Sequence, residues 1–307
     1  MSLEPLLVLC ARAAKHGLIA AEASSLCGGV PDGDGVAHVE SIDLVERAAF
    51  VQTGVRVIAH QPTLGELIDA VRDVSFEADR FRIDVHDPAG RLDQPSHHTA
   101  MALADAIPFG PDLRDPLHQF MVVATDDGFR FGEVVSRADS GFRVHDSKPW
   151  TTSSSLDSRF SRGLVNLVPE ATSIFDPCCG AGSIVLEAAL LGLDAYAVDW
   201  KAAMAGMTRE NFAHFGYDAE ITLADSREIT QPVDAVVTDL PYGHAINTDE
   251  VVVRGILERC ATLAPVGVFV APAEITDWLT TAGFSTVEVH TVMKRRGFTR
   301  WIHVARV

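Results

Sequence analysis

Ser173-Ile174-Phe175-Asp176 runs directly into Pro177-Cys178-Cys179-Gly180-Ala181-Gly182, and a helical run follows from Ser183 to about Leu191. A short apolar strand that meets glycines at the start of a helix opens a strand–helix–strand unit. The glycines let the backbone turn tightly and approach a ligand closely. This is not a P-loop, because no Gly-Lys-Ser/Thr follows. Alone it is a weak signal, and the residues downstream sharpen it. Ala195–Asp199 predicts a second strand ending in an acid, and a helix is expected over about Ala202–Phe215. Glu220–Leu223 predicts a third strand with Asp225 beyond it, and Val233–Asp239 a fourth. Strand–helix alternation of this kind predicts an α/β domain with a doubly wound, mostly parallel sheet. Thr286–Thr291 and Arg300–Val307 are expected to close it as a strand pair, and Leu156–Leu167 to precede it as an amphipathic helix.

The acids fall at successive strand ends. Asp199 lies 23 residues after Asp176, where an acid can accept hydrogen bonds from ribose hydroxyls. Asp225 could accept from an adenine amino group. Each alone is also an ordinary solvated carboxylate; a nucleoside-containing cofactor at the carboxyl edge accounts for all three. The fourth strand ends in Thr238-Asp239-Leu240-Pro241-Tyr242-Gly243. Asp239, Pro241 and Tyr242 match the (Asp/Asn)-Pro-Pro-Tyr signature of class I methyltransferases that act on amino nitrogens. An exocyclic amine conjugated to a ring is a poor nucleophile. A carboxylate and a backbone carbonyl can take its two N–H groups and aim its lone pair. Proline stiffens the turn and has no N–H to compete, and Tyr242 can stack on a base. Leu240 departs from the doubled proline.

Working outward, the 307 residues suffice for two domains, and 47% apolar with 22% charged residues excludes wholesale disorder. Charges such as Glu187, Asp194, Arg254 and Glu258 break every apolar run below the roughly 18 residues a membrane span needs. Met1–Pro5 has no basic region and Leu6–Leu9 is too short for a signal peptide, so a cytoplasmic protein is expected. The five cysteines contain no CxxC, which predicts neither a disulfide framework nor a metal site. Net charge is −17, with 4 Lys against 21 Arg and 26 Asp against 16 Glu. That composition fits adaptation to high salt, or simply GC-rich coding. Neither half has the basic balance usual in nucleic-acid binders, although high salt would screen the acidic surface.

The N-terminal half reads as mixed α and β. Strands are expected at Leu6–Cys10, Phe81–Val85, Phe120–Val123 and Phe129–Val135, with two β-like stretches inside Ile42–Ala59. Helices are expected at Gly17–Leu26, from Leu64 to about Val74 behind an N-cap at Thr63, and at Ser96–Ala106. Asp126-Asp127-Gly128 signals a hairpin. The polar stretch Asp146–Ser155 marks the boundary, giving domains 1–147 and 148–307.

From about Lys148 onward the chain resembles the tRNA guanine-N2 methyltransferases of archaea and eukaryotes. The resemblance rests on Lys148-Pro149-Trp150 with Ser155–Leu167, on Asp176–Ile184, on Asp239–Gly243, and on Gly297-Phe298-Thr299-Arg300-Trp301. The family's usual Phe and Thr are replaced here by Cys178 and Ala181. The resemblance implies a class I (Rossmann-like) methyltransferase domain, S-adenosylmethionine as cofactor, and a guanosine in tRNA, most often position 10, as target. Asp176, Gly180 and Gly182 would then flank the methionine part, Asp199 the ribose and Asp225 the adenine, with Pro177, Trp200 and Ser226 as further cofactor-binding candidates. Asp239, Leu240, Pro241 and Tyr242 would hold the guanine amine, and base flipping is expected. The family also places a ferredoxin-like segment and a THUMP RNA-binding domain ahead of the enzyme, which implies an α+β, RNA-binding 1–147.

Lys294-Arg295-Arg296, with Arg300, is the one dense basic cluster and is a candidate phosphate contact. His97-His98, His244 and the vicinal Cys178-Cys179 need no role. Rival readings are an N6-adenine nucleic-acid methyltransferase, a glutamine N5 protein methyltransferase, and a catalytically silent RNA-binding module. A monomer is expected, although no feature fixes the oligomeric state.

Overall fold

Along the strand His118–Thr125, side chains alternate between two apolar layers. Phe120 and Val122 join one cluster, Met121 and Val123 another. Two-residue periodicity of this kind builds a sheet buried on both faces. The computed structural model describes residues 5–12, 17–75, 78–241, 250–295 and 298–307, and contacts divide the chain into two compact units.

In chain order the first half contains β1 (Leu6–Cys10), α1 (Gly17–Cys27), β2 (Val36–Val39), β3 (Val51–Gln61), α2 (Leu64–Asp73), β4 (Phe81–His86), α3 (Ser96–Ala104), β5 (His118–Thr125) and β6 (Gly128–Arg137). The first unit comprises Met1–Arg12, Cys27–Glu46 and Val51–Ala138. Its sheet runs β2-β1-β3-β6-β5-β4, antiparallel except for the β4–β5 pair. Leu67 and Val71 of α2 and Leu103 of α3 pack with Phe81, Phe120 and Phe131 on one face. Thr63 caps α2 by accepting from the Glu66 amide at 3.3 Å. Of the two β-like stretches expected within 42–59, the later alone forms a strand, β3. The earlier stretch instead forms a 3-10 turn at Val45–Arg47, which buries Val45. The four-residue β2 carries too little periodicity to be read from sequence.

The second half continues with a 3-10 segment (Gly141–Ser147), α4 (Ser158–Val165), β7 (Ser173–Asp176), α5 (Ser183–Leu190), β8 (Asp194–Asp199), α6 (Ala202–Phe215), β9 (Glu220–Leu223), β10 (Ala235–Asp239), α7 (Glu250–Leu263), β11 (Val266–Ala271), α8 (Thr276–Ala282), β12 (Thr286–Arg295) and β13 (Phe298–Arg306). The sheet order is β12-β13-β11-β10-β7-β8-β9. β11, β10, β7, β8 and β9 are parallel, and β13 runs against β11 and β12. This is the doubly wound sheet expected. The chain winds outward from β7 to β9, then returns to β10 on the other side of β7. That switch point opens a crevice at the carboxyl ends of β7 and β10.

The second unit comprises Ala13–Leu26, Arg47–Phe50 and Asp139–Val307. It therefore takes in two N-terminal pieces and starts its main segment before the 147/148 boundary read from the sequence. Local packing gives the reason. α1 buries Leu18, Ala23 and Leu26, and α4 meets Leu18 and Phe50 at Gly163. A Cβ on Gly163 would lie 2.7 Å from the Phe50 ring and 3.0 Å from Leu18. Among the described residues no helix is long and apolar enough to cross a membrane.

Candidate active site

A cavity of about 680 Å³ opens at the carboxyl edge of the second sheet, wholly within the second unit. Its walls come from the loops after β7, β8, β9 and β10, from Thr152 and Ser154–Leu156, and from Val252 and Ile256 on α7. Asp176, Pro177, Gly180, Asp199, Trp200, Asp225, Ser226, Asp239, Leu240 and Pro241 all line it. Residues chosen from four separate sequence segments thus meet around one space.

The glycine loop is held from both sides. Asp199 accepts from the Gly180 amide at 3.0 Å through Oδ2 and from the Lys201 amide at 2.9 Å through Oδ1. Burial raises the Asp199 pKa, and these two amides pull it back down. Thr208 on α6 donates to the Gly180 carbonyl at 2.7 Å. Asn211, fully buried one turn on, donates to the Ala181 carbonyl at 2.8 Å and the Trp150 carbonyl at 2.9 Å, and accepts from the Trp150 amide at 2.9 Å. One side chain so ties the segment before β7 to the loop after it. Gly182 differs from its sequence assignment. It does not line the cavity but turns the chain into α5 at φ +81°, tight against Thr208.

Asp176 is the central acid and only 2% exposed. Its Oδ1 accepts from Thr238 Oγ1 at 2.7 Å and from the Cys178 amide at 3.1 Å. Burial, reinforced by Asp239 and Asp199, raises its pKa to about 7 against the pull of those two donors. Burial also raises the thiols of Cys178 and Cys179, which makes them poor nucleophiles.

Asp239 closes β10 beside this group. Leu240 is 3% exposed, packs in the core with Phe269 and Leu257, and its amide donates to the Val270 carbonyl at 3.0 Å. Proline there would forfeit that bond, so leucine fastens the start of the turn to β11. Tyr242, together with Gly243 and His244, lies outside the described residues. Asp225 is engaged differently from the expectation. It caps the 3-10 turn Ser226–Glu228, and its carboxylate pairs with the Arg227 guanidinium, which lowers its pKa. Trp200 is 69% exposed, with the Lys201 ammonium 5.1 Å from its ring centre.

Sequence reading missed the wall at Thr152–Leu156, which composition presents as a polar linker. The hydroxyls of Thr152, Ser154 and Ser155 bond to one another. The segment is anchored behind the site at both ends. His145 Nδ1 lies 2.6 Å from Glu187 Oε1, and Arg162 Nε donates to Glu187 Oε2 at 2.9 Å. Of the basic cluster, the side chains of Lys294 and Arg300 alone are described. Lys294 is exposed at the end of β12, nothing is described of the Arg295 side chain, and Arg296 lies outside the described residues. Arg300 is 5% exposed with its guanidinium over the Phe160 ring, which takes it out of a solvent-facing phosphate site. Among the described residues no three His, Cys, Asp or Glu side chains are placed to hold a metal ion.

Comparison with known proteins agrees with this geometry. Residues 146–262 match the UPF0020 family, described as RMKL-like, methyltransferase domain. A stretch of 145 residues is 34% identical to the tRNA (guanine(10)-N2)-dimethyltransferase of Methanothermobacter thermautotrophicus, covering 45% of this chain and 43% of that protein. The enzyme of the same name from Pyrococcus abyssi is 31% identical over 107 residues, covering 33% and 32%. The aligned part thus spans less than half the length of these curated relatives. The crystal structure of TrmN from Thermus thermophilus superposes with a TM-score of 0.53 at 19% identity, covering 99% of this chain and 100% of that one. It shares the fold. Within the second unit, residues 146–262 are thus similar to the RMKL-like methyltransferase domain.

Proposed function

We propose that the protein transfers a methyl group from S-adenosylmethionine to the exocyclic N2 amine of a guanosine in tRNA, with position 10 as the first site to test and mono- or dimethylguanosine as product. One observation carries this reading. Asp239, Leu240 and Pro241 line the same cavity as the glycine loop and Asp199, all inside the segment that matches the RMKL-like methyltransferase domain.

The residues present suit the cofactor. The cavity falls within the roughly 300–1,000 Å³ usual for small-molecule sites, and its walls combine strand-end carboxylates, hydroxyls and an exposed indole. Asp199 would accept from the ribose hydroxyls with the lone pairs its two amide donors leave free. Asp176, Pro177 and Gly180 would border the methionine part, and Trp200, Asp225 and Ser226 the nucleoside. When bound, the cofactor supplies an electrophilic methyl group on a sulfonium. Asp239 and the backbone carbonyls of Leu240 and Pro241 would accept the amine hydrogens and fix the direction of its lone pair. A guanine inside an RNA arm must leave its stack to reach this depth.

Region 1–147 is proposed as the ferredoxin-like and THUMP-like part that binds RNA. In support, the first unit is a separate α+β body with its own two-layer core. Lys294, with Arg295 and Arg296, is proposed to meet RNA phosphates, and a cytoplasmic site of action goes with such a substrate. The test is nucleoside mass spectrometry of unmodified tRNA incubated with protein and cofactor at low and high salt. N2-methylguanosine is expected. Methyladenosine instead, or no product despite bound cofactor, refutes the assignment.

A further inference from the structure

The cavity wall presents three carboxylates, Asp239, Asp176 and Asp199, at the ends of the adjacent strands β10, β7 and β8. Asp176 sits between the other two. Thr238 on β10 and the Cys178 amide both bond to its Oδ1, which leaves Oδ2 as the oxygen to offer a ligand. The titratable groups that act on it are Asp239 from β10 and Asp199 from β8, and Asp176 in turn raises the neighbouring thiols of Cys178 and Cys179 in the loop and of Cys260 on α7. Among the described residues no cation pairs with Asp176. Lys201 faces Asp199 instead, and Arg227 is held by Asp225.

Lys201 and Arg227 line the cavity, but in this resting arrangement no positive charge offsets Asp176 itself. The methyl donor and the sulfide left after transfer both bring the α-ammonium of the methionine part, and the methyl donor alone adds a second cation in its sulfonium. In every other respect the two molecules carry the same charged groups. Resting on the functional reading above, we infer that Asp176 is the specificity-determining residue by which this cavity tells the cationic methyl donor from its neutral sulfide product. A buried carboxyl flanked by two like charges retains its proton until a cation compensates it. Its ordinary ionisation is displaced to about 7, so near neutrality the cavity is poised between the two forms. Arrival of the cation favours carboxylate, and the carboxyl proton leaves to the buffer. Once the sulfonium charge is gone, Asp176 takes up a proton again, and the neutral product is held no better than before. The site thereby binds the donor and releases the product by the same group.

Isothermal titration calorimetry tests this. S-adenosylmethionine, S-adenosylhomocysteine and the amine analogue sinefungin would each be titrated into the full chain from pH 5.5 to 8.5, in buffers of different protonation enthalpy. Proton release is expected to be greater with the methyl donor and sinefungin than with the sulfide. The donor-to-sulfide affinity ratio should rise about tenfold across this range, equivalent to one pKa unit of coupling. Asp176→Asn should flatten the ratio and abolish the release while still binding the sulfide. Thr238→Val, which removes a donor that favours the carboxylate, should move the midpoint to higher pH and keeps the test open if Asp176→Asn does not fold. A pH-independent ratio, or release that persists in Asp176→Asn, overturns the inference while the functional reading stands. Absence of binding by all three ligands overturns both.

Discussion

Arg162 and Glu187 form an ion pair in the interior of the second unit. The Arg162 Nε–H donates to Glu187 Oε2 at 2.9 Å, with the side chains 2% and 0% exposed. The other Glu187 oxygen meets His145. Arg162 and His145 flank the Thr152–Leu156 wall, so one carboxylate pins both ends of that wall. Removing one member of a buried pair leaves the other charge uncompensated. Glu187→Ala is expected to destabilise the protein by about 3–5 kcal/mol and to weaken cofactor binding together with stability. Urea denaturation and calorimetry would measure both. A loss within measurement error would remove the anchoring role.

The strand-end acids should separate by function. Asp239→Ala is expected to lower methyl transfer by about 100-fold or more, the scale of losing a transition-state contact, with cofactor affinity held within a few fold. Asp199→Ala should weaken cofactor binding, because it loses the ribose acceptor and releases the Gly180 and Lys201 amides together. Asp225→Ala should matter far less, since that carboxylate is already occupied by Arg227. Single-turnover rates and cofactor titrations would rank the three; equal affinities for the Asp199 and Asp225 variants would refute the ranking.

Gly180 and Gly182 both have positive φ, +56° and +81°, but only Gly182 is crowded. A Cβ at Gly182 would sit 2.7 Å from Thr208 Cγ2, whereas Gly180 has open space around that position. Gly180→Ala should therefore show only backbone strain, roughly 1–2 kcal/mol, and Gly182→Ala a further loss from displacing Thr208, which also holds the Gly180 carbonyl. Thermal unfolding of the two variants would show the order.

Asp176 gives stability a pH dependence of definite sign. It ionises at about 7 in the fold and at about 4 in an unfolded chain. Between those values the folded chain carries the extra proton, so this group's contribution falls as pH rises from about 4 to about 7. The ligand-free Asp176→Asn variant should match wild type near pH 4 and exceed it at pH 8 by roughly 4 kcal/mol. Urea unfolding at both pH values decides this, and a difference that does not change with pH would contradict it.

The parts of the site legible in sequence were those written locally. β7, α6 and β9 lie at Ser173–Asp176, Ala202–Phe215 and Glu220–Leu223 as read, because an apolar strand, a glycine turn and a helical period each declare themselves within a few residues. What escaped depends on distant partners. Thr152–Leu156 reads as a linker until Asn211, 61 residues from Trp150, and Glu187 fix the chain around it. Arg300 reads as part of a basic patch until Phe160 covers it. Asp225 reads as a free acceptor because nothing in its spacing shows that Arg227 folds back onto it.

Glu22 of α1 accepts from the Ala49 and Phe50 amides at 2.8 and 2.6 Å and from Asn166 Nδ2 at 2.7 Å. The methyltransferase unit is thus stitched from pieces far apart in the gene, the last of these bonds spanning 144 residues. No single cut of the chain, by protease or by recombination, separates the two units. A fragment starting at 148 keeps every residue that lines the cavity yet leaves the Asn166 amide without its acceptor.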